Sequence, residues 1–516
     1  MNSPWWRDAV IYQVYPRSFA DSDGDGVGDL PGVIQHLPHL KSLGVDAVWL
    51  SPFYPSPQAD AGYDVADYRD VDPLFGTLAD AGELIATAHE LGLRVVIDLV
   101  PNHTSSAHPW FRAALAGDPA ARARYIFRDR PNGWQSVFGG SAWTQVGDGQ
   151  WYLHLFDAGQ PDLDWTNPEV VAEFESILRF WLDRGVDGFR IDVAHGLRKD
   201  AALGELPEGL DPGLPVWVAQ PGHPFWDQDE VHEIWRGWRR VLDEYPGDRV
   251  TVAEAWVYDF ARLGLYLRPD ELNTAFNFAF LIAPWDAAAF RKAVDDTLAG
   301  LAAVGAPATW VLSNHDVVRH ASRYGGGETG QRRARAAALL MLALPGGAYL
   351  YQGEELGLEE VWAIPDALRQ DPNFVRTGGA ERGRDGCRVP IPWSGAAPPF
   401  GFSPPGAAKP PWLPQPADWA RQTVEAEDRD PGSMLALYRT ALALRREHLG
   451  DGGLEWLDRG DEAVLCFRRT PGNVVCLVNT ATSPVPLPSG ELLLASAPLT
   501  ADGSLPGEAA AWLRER

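Results

Sequence analysis

Short, β-rich apolar runs alternate with longer stretches whose apolar positions recur at helical spacing. Residues 10–15, 45–50, 93–99, 186–193, 250–255, 274–278, 309–312 and 348–351 form the apolar runs. Residues 78–91, 170–184 and 332–344 show helical periodicity between them. Strands that read apolar on both faces belong to a parallel sheet covered on both sides. Eight such strands alternating with helices predict an α/β fold, a closed (β/α)8 TIM barrel.

Two intervals are too long for simple connections. Residues 104–167, between the third strand and its helix, are rich in aromatics and glycine and predict an inserted subdomain. Residues 353–432 follow the eighth strand, are dense in proline and glycine, and predict irregular loop over one end of the barrel. Helical spacing resumes over 433–447, and the alternating runs 463–468 and 473–478 predict antiparallel strands. The expected organisation is a barrel from 1–103 and 168–449, a subdomain from 104–167, and a C-terminal all-β domain, a sandwich, over 450–516.

Composition narrows the class of partner. The 516 residues are 45% hydrophobic and include 22 Trp and 14 Tyr, which fits a large packed globule. A net charge of −26 opposes binding to nucleic acid or anionic membrane and suits a neutral substrate such as a sugar. The cysteines, Cys387, Cys466 and Cys476, are too few for a disulfide framework and are expected as free thiols. Residues 1–7 carry no basic region followed by an apolar run, and no stretch approaches eighteen apolar residues. The chain reads as soluble and cytoplasmic, with its oligomeric state open.

The run Asp21-Ser-Asp23-Gly-Asp25-Gly-Val27-Gly-Asp29 places carboxylates at positions 1, 3, 5 and 9 of a loop with glycine at position 6. That is the ligand order of an EF-hand-type cation loop, with the Val27 carbonyl at position 7. The bidentate Glu of position 12 is replaced by Gly32. The expectation is one structural ion, Ca2+ by flexibility of coordination, with Mg2+ as the alternative.

Barrel chemistry gathers at the C-terminal ends of strands. There the sequence offers Asp98 and His103 (third strand), Arg190 and Asp192 (fourth), Glu254 (fifth), and His315 and Asp316 (seventh). Three carboxylates, Asp192, Glu254 and Asp316, converging with a guanidinium and two imidazoles suit glycoside cleavage. That reaction needs a proton for the leaving oxygen and an anion facing an oxocarbenium-like centre. Arg190 lies two residues before Asp192 and faces the same side. Its charge is expected to keep Asp192 ionised. Glu254, flanked by Ala253, Ala255 and Trp256, is expected in a partly apolar setting suited to a protonated acid.

These segments resemble the α-amylase superfamily, glycoside hydrolase family 13, over essentially the whole chain. Asp98-Leu-Val-Pro-Asn102-His103, Gly188-Phe-Arg190-Ile-Asp192, Ala253-Glu254-Ala255 and Ser313-Asn-His315-Asp316 resemble its four conserved regions. Gln160-Pro-Asp-Leu-Asp164-Trp165 is similar to the Gln-Pro-Asp-Leu-Asn motif of the oligo-1,6-glucosidase and α-glucosidase branch, as is the Asp21–Asp29 loop. The resemblance implies Asp192 as nucleophile, Glu254 as acid/base, and Asp316 as the carboxylate that grips the sugar. It implies that Asp60 and Tyr63 of Asp60-Ala-Gly-Tyr63 hold the terminal glucose. It also implies that Arg388 of Arg384-Asp-Gly-Cys-Arg388 pairs with Asp60 to close the pocket. His103, Arg190 and His315 would bind glucose hydroxyls, and Phe138 and Phe156 would wall the pocket or serve as subdomain core. Val389-Pro-Ile-Pro-Trp393 stands where the family has Thr-Pro-Met-Gln-Trp, near the leaving group.

The implied activity is a retaining, exo-acting α-glucosidase on short oligosaccharides, with maltose-type α-1,4 linkages narrowly preferred over α-1,6. Val193, after the nucleophile, leans towards α-1,6. Two other readings remain. One is a transglycosylating relative, a maltose–trehalose mutase or sucrose isomerase, although no Arg-Leu-Asp-Arg-Tyr run is present. The other is a non-catalytic family member.

Overall fold

Each of the eight apolar runs forms a parallel strand in the computed structural model, which describes residues 3–211, 214–257, 259–450 and 452–515. The strands are β1 (Val10–Val14), β2 (Ala47–Leu50), β3 (Arg94–Leu99), β4 (Gly188–Ile191), β5 (Val250–Ala253), β6 (Thr274–Ala275), β7 (Thr309–Val311) and β8 (Gly347–Tyr351). Their order is β7-β8-β1-β2-β3-β4-β5-β6, the circular order of a barrel. The barrel is nearly closed. The expected sixth strand, 274–278, is shorter than its apolar run: the Asn277 side chain accepts from the Phe280 N–H and starts a helix, Phe278–Leu281. A capping turn wins over strand pairing there.

Period-two alternation explains what fills the barrel and what crowns it. Val96 on β3 and Val250 and Val252 on β5 pack inside with Ile11, Trp49, Val311 and Tyr349. Two residues further along the same faces come Asp98 and Glu254. Gly188 opens β4 because a Cβ there would lie 2.3 Å from the Val250 carbonyl oxygen. Arg190 and Asp192 follow it at the same period. An apolar floor thus supports a charged layer at the C-terminal end of the strands.

Helices cover the outside, among them α1 (Leu30–Leu43), α2 (Leu78–Glu90), α3 (Pro168–Leu182), α4 (Val231–Asp243), α5 (Ala287–Ala302), α6 (Gly327–Ala343) and α7 (Met434–His448). Within 104–167 a small antiparallel sheet joins Phe127–Arg128, Trp151–Leu153 and Trp143–Gln145. A third long excursion, residues 194–230 between β4 and α4, stands beside the two expected from the sequence.

The C-terminal region differs from the expected sandwich. It is one antiparallel sheet of five strands, β9 (Gly453–Trp456), β10 (Val464–Thr470), β11 (Val474–Asn479), β12 (Glu491–Ala495) and β13 (Ala509–Arg514), in the order β9-β10-β11-β13-β12. Phe467, Cys476, Val478 and Trp512 join the main core, and Trp512 Nε1 donates to Leu339 O of α6 at 3.1 Å. The barrel helix therefore serves as the second layer. The other face is covered by Val485, Leu487, Leu499 and Leu505 from the connecting segments. Cys466 and Cys476 point to opposite faces, and all three cysteines are free and buried. No helix among the described residues is long and apolar enough to cross a membrane.

Candidate active site

A cavity of about 200 Å³ opens at the C-terminal end of the barrel. Asp60, Tyr63, His103, Asp192, Glu254, His315, Asp316, Phe138 and Phe156 all line it. Two of the residues singled out in the sequence, Arg190 and Arg388, sit directly behind that lining, each almost fully buried.

Arg190 is the hub. Its Nη1 donates to Asp98 Oδ1 at 2.9 Å and to Asp192 Oδ1 at 2.6 Å, and its Nη2 donates to Glu254 Oε2 at 2.8 Å. Asp98 also accepts from Tyr63 Oη (3.1 Å) and Trp49 Nε1 (3.3 Å). One guanidinium therefore faces three carboxylates. The expectation that Arg190 keeps Asp192 ionised is corrected here. Burial, and next the charges of Glu254 and Asp98, outweigh Arg190 and hold the Asp192 carboxyl well above the usual range. Burial likewise pushes Asp98 up to about 7 against the same guanidinium. Asp192 and Glu254 accept from the two terminal nitrogens, Nη1 and Nη2, of the same Arg190 guanidinium.

The setting of Glu254 also departs from expectation. Instead of an apolar wall it meets three donors: Arg190, the Val193 N–H on Oε2 at 3.2 Å, and Trp256 Nε1 on Oε1 at 3.1 Å. The Trp256 ring lies parallel on Phe278, 3.8 Å between centroids. Val193, directly after Asp192, has φ +48°, a strained value for a β-branched residue.

The opposite wall is held by two arginines, and here the sequence reading chose the wrong one. Arg388 does not pair with Asp60. It donates through Nη2 to Asp316 Oδ1 (3.0 Å) and through Nε to His315 O (2.8 Å). Arg384 closes the pocket: Nη2 donates to Asp60 Oδ1 at 2.8 Å and Nη1 to Asp316 Oδ1 at 2.9 Å. The short turn Asp385–Cys387 places the two guanidiniums at different depths, and the shallower one reaches the rim. Burial alone would raise Asp316. The guanidiniums of Arg384 and Arg388 outweigh it and hold the carboxyl well below the usual range.

His315 is neutral, since burial pushes it down to about 3. Its Nδ1 lies 2.7 Å from Gln13 Nε2 and its Nε2 2.7 Å from Tyr63 Oη. Reading that network, Gln13 donates to Nδ1, and the Nε2 proton goes to Tyr63, which donates onward to Asp98. Tyr63 also stacks on His315, with ring planes 4° apart. Burial lowers His103, whose Nε2 lies 3.1 Å from Tyr63 O and 3.0 Å from the Gln160 amide. Phe138 and Phe156 meet edge to face at 5.8 Å on the subdomain side.

Sequence reasoning missed the far wall. His195, Trp217 and Trp226 reach the cavity from the 194–230 excursion, and Asn373 and Arg384 from the loop after β8. His195 stacks on Trp226 at 4.7 Å and its Nε2 contacts Trp217 O at 3.0 Å. The tryptophans carried a signal, since two lie close in a polar, proline-rich stretch. The Val389–Trp393 run is absent from the pocket lining. Ile391 is buried in the core and Trp393 stacks on His36 at 3.7 Å.

The acidic loop is partly assembled. Carboxylate oxygens of Asp21, Asp23 and Asp29 lie within 4.8 Å of one another. Asp25 is not with them; its Oδ1 accepts from the Val27 N–H at 2.9 Å, and the Val27 side chain packs against the core. Asp29 doubles as the N-cap of α1, accepting from the Gly32 N–H. The three gathered carboxylates are a hard donor set that fits a divalent cation.

The family description "Alpha amylase, catalytic domain" matches residues 13–452. A probable alpha-glucosidase of Rhizobium meliloti (strain 1021) is 40% identical over 94% of this chain and 91% of its own length. An oligo-1,6-glucosidase of Parageobacillus thermoglucosidasius is 37% identical over 93% and 91%. The solved structure of an alpha-glucosyl transfer enzyme superposes with a TM-score of 0.90 at 40% identity, covering 99% of this chain and 100% of that one. With a family match over most of the chain and full-length relatives at this identity, the protein belongs to the α-amylase family and is a glycoside hydrolase.

Proposed function

We propose that the protein is a retaining, exo-acting α-glucosidase that releases α-glucose from the non-reducing end of short α-glucosides. The observation that carries this reading is the geometry of the carboxyl pair. Asp192 and Glu254 are bridged by one guanidinium, at 2.6 and 2.8 Å from its two terminal nitrogens. Inverting enzymes separate their carboxyl groups by roughly 6.5–9.5 Å to seat a water. So close a pair suits double displacement instead. The Asp192 carboxylate attacks the anomeric carbon as Glu254 gives its proton to the departing oxygen. Water then attacks the glucosyl-enzyme, returns a proton to Glu254, and frees Asp192.

In this reading Asp316, held ionised by Arg384 and Arg388, grips the glucose and meets the charge that develops on its ring. Asp60, Tyr63, His103 and His315 read its hydroxyls, and the Asp60–Arg384 pair blocks extension past the terminal unit. The apolar side, Phe138, Phe156, Trp217, Trp226 and Trp256, receives the leaving group. Maltose-type α-1,4 substrates are narrowly preferred over α-1,6. The alternative is glucosyl transfer to a second sugar, favoured by the resemblance to an alpha-glucosyl transfer enzyme. Product analysis on maltose, isomaltose, trehalose and sucrose separates the two: free α-glucose supports hydrolysis, rearranged disaccharide supports transfer.

The acidic loop is proposed to bind one structural Ca2+ through Asp21, Asp23, Asp29 and the Val27 carbonyl, none of which lines the pocket. A bound ion stabilises the folded state by mass action, about 2.7 kcal/mol at 100 times Kd. Added Ca2+ is expected to raise Tm by a few degrees in wild type but not in Asp21→Asn. Equal Tm with Ca2+ and with chelator in the wild type contradicts the site.

A further inference from the structure

The wall that closes the pocket belongs to a closed ring of contacts joining the loop after β2, the inserted subdomain and the loop after β8. Arg384 donates to Asp60 Oδ1 (2.8 Å) and to Asp371 Oδ2 (2.5 Å). Asp371 caps the short helix Pro372–Arg376, accepting from the Asn373 N–H at 2.8 Å. At the other end of that helix, Arg376 Nη1 donates to Asp157 Oδ2 at 3.1 Å and Nη2 to Gly139 O at 2.7 Å. The Asp157 N–H donates to Gln160 Oε1 (2.9 Å), and Gln160 Nε2 donates back to Asp60 Oδ2 (3.3 Å). Phe138, next to Gly139, lies under the Arg384 guanidinium, 5.5 Å from ring centroid to Cζ. Arg376 is thus a second tie, between the subdomain, which holds Asp60 through Gln160, and the loop that carries Arg384.

The two ties are unequal. Arg384 is shared among three carboxylates: Asp371 on its own loop, Asp316 after β7 and Asp60 after β2. Asp60, on the loop after β2, is tied to the subdomain through Gln160; if the subdomain drifts outward and draws Asp60 with it, Arg384 keeps its other two partners and releases Asp60. Arg376 and Asp157, about a quarter exposed, contribute little to global stability but oppose that drift. We propose that Arg376 is a specificity-determining positioning residue: by strapping the helix Pro372–Arg376 to Asp157 and the Gly139 carbonyl, it keeps the Arg384–Asp60 wall shut and restricts the pocket to a terminal glucosyl unit. This rests on the exo-glucosidase reading above.

The test compares full-length wild type, Arg376→Ala, Asp157→Ala, the double variant and Arg376→Lys on maltose, maltoheptaose and α-glucosyl fluoride. Arg376→Ala is expected to raise the maltose KM about tenfold with kcat nearly unchanged, because ground-state and transition-state binding are lost together. The kcat/KM ratio of maltoheptaose to maltose is expected to rise. The double variant should resemble either single one, and lysine should restore part of the loss. Unchanged KM and unchanged ratio in an active Arg376→Ala overturn the strap. An equal fall in kcat on all three substrates overturns it too, since general loosening does that. A wild type inactive on all three would instead remove the glucosidase reading, and the strap with it.

Discussion

Arg190 shows how one side chain sets the chemistry of a layer. It is nearly fully buried, rests 5.3 Å from the Trp49 ring centroid, and neutralises only part of the charge of Asp98, Asp192 and Glu254. Burial of the excess charge raises the Asp192 and Asp98 carboxyls against the same guanidinium. Replacing Arg190 with Met would leave buried carboxylates without their counter-charge, at a cost of about 3–5 kcal/mol. Denaturant unfolding is expected to show that loss, together with loss of glucose release. A variant of wild-type stability would mean that the layer is neutralised in some other way. Arg190→Lys is expected to keep more stability but little activity, since a single ammonium cannot present the planar fork that reaches three carboxylates.

Between elements, two contacts make their own predictions. Gly196, in the excursion after β4, is packed so that a Cβ would lie 2.6 Å from Trp226 and 2.7 Å from Val193. Gly196→Ala is expected to displace the tryptophan wall, raising KM for disaccharides more than for α-glucosyl fluoride, which has no sugar leaving group. Equal effects on both would place Trp226 outside the leaving-group side. The turn after β8 docks on α7 through Glu354, whose Oε1 accepts from Tyr438 Oη at 2.8 Å. Burial pushes Glu354 up to about 8. A carboxyl raised in the folded state stabilises fully below its unfolded value, near 4.3, and that contribution is lost as pH rises through about 8. Glu427, also raised to about 8 by burial, adds to the same trend. Tm is expected to fall between pH 5 and pH 9, and Glu354→Gln to flatten the slope with no gain at pH 5. A parallel slope in the variant would contradict this origin.

The element scale is also where the sequence was most and least legible. The eight strands were readable because parallel strands are apolar on both faces, and Asp98, Arg190, Asp192 and Glu254 followed because period two carries the inward face onto the rim. Strand ends were less so: Asn277 turns the chain before the apolar run stops. The choice between Arg384 and Arg388 was not readable at all, since both lie one turn apart and only the depth of that turn separates them. Trp217 and Trp226 belong to a long irregular loop, where no periodicity links a side chain to a face. Asp25 was assigned by spacing, and spacing does not show which of the four carboxylates the loop gathers; Asp21, Asp23 and Asp29 come together.

For the whole molecule, the barrel supplies a rigid charged layer and its long excursions supply the walls. The subdomain over 104–167 brings Phe138 and Phe156, the excursion after β4 brings the tryptophans, and the loop after β8 brings Arg384. Specificity is therefore written in segments that the barrel core does not constrain, while the chemistry sits on strands that it does. The C-terminal sheet uses α6 as its second layer, and Glu508 before β13 pairs with Arg332 and Arg333 of that helix. The central claim is that this layer cleaves α-glucosides with retention through Asp192. The most direct measurement follows maltose hydrolysis by proton NMR in wild type and Asp192→Asn. The account predicts α-glucose as the first anomer from the wild type and a loss on the order of 10⁴-fold or more in the variant. Initial β-glucose, or a variant that retains near wild-type turnover, would contradict it.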